Sequence, residues 1–254
     1  MHAPAPKFWP TYLYGTRLFL PVAISIASYG VVWGVLAGQA GLSPLEVALM
    51  SGIVYAGASQ FVAIDMWSPV GLPVASIVIA TAVINLRMLL MTATLRPQFE
   101  TVPRWKALLA MFFVSDEVWA MTVAQTAKRS SEVFLLRGDE PHPANTASAP
   151  AFMLGCGTLA WIAWVGSTLT GRLLGAVIDD PAAYGLDFAF TATFLALLFS
   201  MWKGRADLVP WLAGGAIAIG VSMVVPGTWY IIAGGLGGSF IAALLQHRST
   251  RHVS

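Results

Sequence analysis

Residues 73–95 read PVASIVIATAVINLRMLLMTATL. The run exceeds the roughly 20 apolar residues that a helix needs to cross a bilayer. It holds one charged side chain, Arg87, with Asn85 two positions before it, both well inside the run. An ionisable group at that depth costs about 3 kcal/mol or more and marks a substrate or ion path. The neighbouring runs repeat the pattern: Ser59-Gln60 interrupts 46–67, and Asp116-Glu117 interrupts 105–127. Three successive spans thus bring polar groups to one depth, close to the membrane midplane. The reading is an all-α integral membrane protein with a transport path.

Composition agrees. Of 254 residues, 57% are hydrophobic and 10% are charged, against about 25% charged in soluble domains. A formal net charge of +2 gives no reason to expect nucleic acid as a partner. Cys156 is the single cysteine, so no intrachain disulfide is available, and its apolar surroundings suit a small packing residue. The histidines, His2, His142, His247 and His252, all fall in tails or loops. Neither a metal site within the membrane nor a cofactor is expected.

Apolar runs at 18–39, 46–67, 73–95, 105–127, 151–174, 185–202, 209–225 and 229–246 predict a polytopic bundle of about eight transmembrane helices. They form one transporter domain, 1–254, with a basic N-terminal tail 1–17, a polar loop 128–150 and a C-terminal tail 247–254. Trp67, Trp105, Trp202, Trp211 and Trp229 fall at run ends, where tryptophan favours the membrane–water boundary. The first run continues through Val31-Val32-Trp33, past any signal-peptide core, and reads as an uncleaved helix. Basic residues in both tails and at Lys203 and Arg205 place both termini in the cytoplasm by the positive-inside rule. One conflict stands: the loops at 96–104 and 128–150 are both basic. Either the first is an exception or the fourth run stops short of crossing.

Gly30, Gly34 and Gly38 recur every fourth residue, as do Gly171 with Gly175 and Gly234 with Gly238. Such small faces let helices approach closely in lipid. Gly57-Ala58 lies at the centre of the second run, where small residues permit a helix break that frees backbone groups for a ligand. Glu46 is placed to cap a helix start. Asp187 opens the sixth run as a cap or a pore-lining acid.

These residues resemble the AzlC-type branched-chain amino acid permeases. Gly57-Ala58-Ser59-Gln60-Phe61 is similar to that family's GASQF signature, and Asn85-Leu86-Arg87 to its NLRH element. Ser115-Asp116-Glu117 resembles its TDE element and Gly185-Leu186-Asp187-Phe188 its GLDF element, in the family's order. The resemblance implies a bacterial inner-membrane exporter of hydrophobic amino acids acting with a small AzlD-type membrane subunit. Met88 stands where the family usually has histidine, so a proton-relay role does not carry over to that position.

The residues support the same chemistry directly. A zwitterionic amino acid needs a cation or amide donors for its carboxylate and an anion or carbonyls for its ammonium. Ser59, Gln60, Asn85 and Arg87 suit the first task, and arginine's planar fork matches a carboxylate. Asp116 or Glu117 suits the second, and Asp116, Glu117 and Asp187 are the candidates for proton coupling. A homo-oligomer stays open. The other classes are a channel, a non-transporting assembly subunit and a membrane-embedded enzyme. The last is disfavoured, because the chain has no Gly-x-Ser-x-Gly, His-Glu-x-x-His or Cys-x-x-Cys pattern.

Overall fold

The computed structural model describes residues 8–67, 71–137, 149–175, 204–225 and 229–251, with Leu195, Leu198, Phe199 and Trp202 besides. Among them every regular element is helical. Helix α1 spans Phe8–Gln39, α2 Pro44–Leu49, α3 Gly57–Asp65, α4 Val74–Leu95 and α5 Arg104–Met111. Then come α6 (Asp116–Arg137), α7 (Ala149–Gly175), α8 (Leu208–Val224) and α9 (Trp229–Arg251). The stretches Phe8–Gln39, Val74–Phe99, Ala149–Gly175 and Arg205–Val224 are long and apolar enough to cross a membrane. Their surfaces suit lipid: Leu89 and Leu90 are exposed. The sixth expected run, with Asp187 and the Gly185–Phe188 element, lies outside the described residues apart from the four named above, as do both chain ends.

Two of the expected spans are not single helices. The second consists of α2, a π-helical turn over Met50–Val54, and then α3. The fourth consists of α5, a short turn, and then α6. The break in the second falls at Tyr55-Ala56, and Gly57-Ala58 open its second half instead of forming the gap. The physical reason is local. Tyr55 takes the left-handed conformation (φ 46°, ψ 47°) and ends the π turn, which relieves the chain of unwinding at Gly57. Asp116 and Glu117 correspondingly lie in the first turn of a half-helix and not in mid-helix.

The described chain forms two compact units. The first comprises residues up to Gln60 and from Asn85 through α7; the second comprises Phe61–Ile84 with α8 and α9. In the first unit α1 and α7 run against each other through reciprocal glycines. A side chain on Gly34 would strike the Thr168 carbonyl and lie 2.8 Å from the Arg172 amide; one on Gly171 would strike the Val31 carbonyl. Gly30 faces Ser167, Gly38 faces Arg172, and Gly175 faces Val35. The Tyr12 and Thr158 hydroxyls share a 2.6 Å hydrogen bond, and the Cys156 thiol donates to the Gly15 carbonyl at 3.5 Å. Cys156 is therefore the buried packing residue expected. The turn after α1 is tied down by Arg172, whose Nε donates to the Leu42 carbonyl. Phe19, Ala23, Phe152, Met153 and Ala160 continue the core toward Val114 and Val118. In the second unit Gly214 packs against Gly234 and Gly238 by the same device.

This packing generates a test. Gly34→Leu and Gly171→Leu force side chains onto facing backbone, an overpacking cost of about 1–3 kcal/mol, and are expected to lower membrane abundance several-fold. Gly166→Ala, on the same α7 with open space around it, is expected to leave abundance as in wild type. Quantitative immunoblotting of membrane fractions checks both.

Candidate functional site

The site residues described below all belong to the first unit. Helix α2 begins with a full capping box. The Ser43 amide donates to Glu46 Oε2 at 2.7 Å, and the Glu46 amide donates to Ser43 Oγ at 3.3 Å. The capping role expected of Glu46 is thus realised. At its other end the helix widens into the π turn and reaches Tyr55, the only non-glycine residue with positive φ among the described residues. Helix α3 then starts at Gly57, where the first backbone N–H groups of a helix have no intrahelical acceptor.

Side chains of the interrupted helix and of α7 bracket this break. Gln60 is fully buried. Its Nε2 donates to Ser51 Oγ at 3.3 Å, so the amide joins the two halves of the interrupted helix. Its Oε1 accepts from Trp164 Nε1 on α7 at 3.0 Å. Trp161, one helical turn earlier, donates its Nε1 proton to the Gly52 carbonyl of the π turn at 3.0 Å. A side chain on Gly57 would come within 3.1 Å of the Trp164 ring, so the glycine admits the indole. Gln60 therefore braces the break with both ends of its carboxamide engaged.

The second break has a different chemistry. Ser115 ends it: Oγ accepts from the Val118 amide at 3.4 Å and donates to Glu117 Oε2 at 2.8 Å. Asp116 and Glu117 occupy the first turn of α6, where carboxylates are favoured by the helix dipole. The two breaks adjoin. The Tyr55 and Phe112 rings lie 5.9 Å apart.

Helix α4 is tied to both. Ser59 Oγ donates to Asn85 Oδ1 at 2.9 Å, linking α4 to the second half of the first interrupted helix. Arg87 Nη2 lies 3.0 Å from Asp116 Oδ2, linking α4 to α6. Residues two apart on an α-helix differ by about 200° around the axis, so Asn85 and Arg87 serve opposite flanks. The ion pair engages one guanidinium nitrogen, and Arg87 Nε is buried with no hydrogen-bond partner. Of the two acids, Asp116 is the one paired with Arg87.

Ser59, Gln60, Asn85, Arg87, Asp116 and Glu117 are thus brought together around the two breaks. Ser51, Tyr55, Trp161 and Trp164 belong to the same constellation and were not singled out by the sequence. The mid-span position of the two tryptophans, away from the boundary where tryptophan is favoured, was the signal available.

A model of the AzlC protein family matches residues 21–178, more than half of the chain. The chain belongs to the AzlC family. Among its relatives, the inner membrane protein YgaZ of Escherichia coli is 29% identical, over 82% of this chain and 81% of the relative. A protein of Archaeoglobus fulgidus named only as a membrane protein is 28% identical, over 87% and 90%. The branched-chain amino acid transport protein AzlC of Bacillus subtilis is 20% identical, over 89% and 82%. No solved structure matches. With its long apolar helices, the chain is a membrane protein of a transport family.

The bracket at the first break can be tested by its asymmetry. Gln60→Leu leaves both the Trp164 indole and the Ser51 hydroxyl buried without their partner, at about 1–3 kcal/mol for each stranded group. Trp164→Phe removes a single donor. Gln60→Leu is expected to lower the unfolding temperature of the detergent-purified protein more than Trp164→Phe does.

Proposed function

We propose that this AzlC-family chain exports small hydrophobic amino acids across the bacterial inner membrane, with both termini in the cytoplasm. It acts as the large subunit of a two-component exporter with a small AzlD-type membrane subunit, and the proton gradient drives it. The observation that carries this reading is the Arg87–Asp116 ion pair set beside two interrupted helices. A zwitterion is the complement of such a pair. Its carboxylate takes the guanidinium donors left over by the one-nitrogen bond to Asp116, assisted by the Asn85 amide. Its ammonium takes the carboxylate of Asp116 or Glu117. The internal ion pair is kept and two further pairs form to the substrate, so each charge of the zwitterion meets a partner. Ser59 holds Asn85 in place, and Gln60 holds the break that brings Ser59 there. Bearing on the substrate class, a relative is named for branched-chain amino acid transport.

Reconstituted vesicles holding the chain and its small subunit are expected to move radiolabelled leucine, and faster under an imposed pH gradient. Flux that ignores the gradient would indicate a channel, and no amino acid flux at all would refute the proposal.

The ion pair gives a second test. Removing one member of this half-buried pair leaves a charge without its partner, whereas removing both is milder. Arg87→Ala and Asp116→Ala are each expected to reduce membrane abundance and abolish transport. The double change of Arg87 and Asp116 to leucine is expected to restore abundance without transport. Abundance and leucine efflux are measured on the same membranes; a double variant that transports as wild type would leave the pair a purely structural role.

A further inference from the structure

Along α1 and α7 the facing residues rise together: Gly15 meets the Phe152 carbonyl, Gly30 meets Ser167, and Gly38 meets Arg172. The two helices are therefore parallel. Phe8 and Ala149 mark one end of the first unit, and Gln39 and Gly175 mark the other. The second half of α4 points to the Ala149 end. Leu95 and Phe99 share a core with Phe19, Ala23, Phe152, Met153 and Cys156, and on α7 that core extends no further than Ala163. The turn Arg96–Phe99 touches α7 directly.

Helix α6 runs the same way as α4. Arg87 meets Asp116, and farther along both helices Thr94 Oγ1 accepts from Trp119 Nε1 at 2.8 Å. A continuous span following α4 would run against it, so the reversal falls to α5. Helix α5 starts at Arg104, soon after Phe99. Five extended residues reach about 18 Å, too little to cross a hydrocarbon core of about 30 Å, so α5 begins at the end where α4 stops. Its 8 residues advance about 12 Å, which matches the axial distance from Leu95 back to Arg87. The turn after α5 brings Phe113 against Gly157 and Phe112 against Tyr55. Irregular backbone at membrane depth needs such burial in protein.

We propose that the second interrupted run is a re-entrant hairpin. Helix α5 enters from the cytoplasmic face, the chain turns near the midplane at residues 112–115, and α6 returns to the face it came from. Charge identifies the face. Arg96, Arg104 and Lys106, against Glu100, then share a side with Lys128 and Arg129 and with Lys7 and Arg17, whereas the opposite turn at 40–45 carries no charge. The two basic loops, which cannot both be cytoplasmic around a full span, satisfy the positive-inside rule around a hairpin. From the midplane α6 needs about ten residues to leave the hydrocarbon, and Lys128 is exposed just beyond. The first interrupted run comes in from the other face: Leu42 is held by Arg172, and Gly52 lies at Trp161, midway along α7. The two breaks that adjoin at Tyr55 and Phe112 are thus approached from opposite sides of the membrane, and Asp116 rides on an element anchored on the cytoplasmic side alone.

The test is the sidedness of single added cysteines in the full chain, read with a membrane-impermeant maleimide on right-side-out and inside-out vesicles. Cys156 is fully buried, and the unchanged chain supplies the blank. Gln39, Glu100, Thr101 and Lys128 are all exposed. Thr101→Cys and Lys128→Cys are expected to label several-fold more from one and the same face, and Gln39→Cys from the other. Glu100→Cys, on the same turn as Thr101, is read in parallel in case one variant fails to reach the membrane. Labelling of the 100–101 turn from the Gln39→Cys face would make the fourth run a full span and overturn the proposal. Labelling of that turn from neither face would overturn it as well.

Discussion

Everything at the centre of this protein depends on the requirement that a charge taken out of water meets a partner. Arg87 meets Asp116 across two helices, and that pairing links α4 to α6. A long helix alone would place an arginine in hydrocarbon with no answering group. The chain avoids this by interrupting the next helix, so that a carboxylate arrives at the start of a half-helix and not in the middle of a whole one. The dipole of that half-helix favours the acid as well. Charge pairing and helix interruption are thus one solution to one electrostatic constraint.

An interrupted helix brings its own debt, since the backbone groups at the gap need partners. At the first gap these are met from α7: Trp161 takes a free carbonyl and Trp164 holds the glutamine that spans the break. The helix that supplies them is in turn positioned by α1 through glycines that leave no room for side chains. Close backbone packing, far from any charge, is therefore a precondition for the polar centre. Small residues at Gly34 and Gly171 act on the site through two successive packing layers.

The apolar runs were readable from the sequence because hydrophobic length is additive along the chain, and seven of the expected runs correspond to described helical stretches. The glycine spacing of α1 and α7 was readable for a similar reason: one face of a helix repeats at short intervals. The polar clusters stood out against apolar surroundings, and Ser59, Asn85, Arg87 and Asp116 are indeed joined. What sequence could not supply was the choice among partners distant in the chain. Arg87 could have met Asp116 or Glu117, and only the path of the turn before α6 decides for Asp116. The left-handed turn fell on Tyr55, a residue that rarely adopts it, so a search for glycine pointed two residues too far along. Trp161 and Trp164 looked like ordinary apolar residues because their single N–H groups find acceptors more than a hundred positions away.

That separation also sets a timetable. Gln60 leaves the ribosome 104 residues before the tryptophan that secures it, whereas the whole of 46–67 is apolar enough to enter the bilayer as an ordinary span. While α7 is still unmade, nothing from it holds the gap. The bracing of the break by Trp161 and Trp164 is therefore completed only once α7 has been made. Arg87, by contrast, waits only until Asp116 follows on the next run. The ion pair can close first, and the brace across the break is completed afterwards.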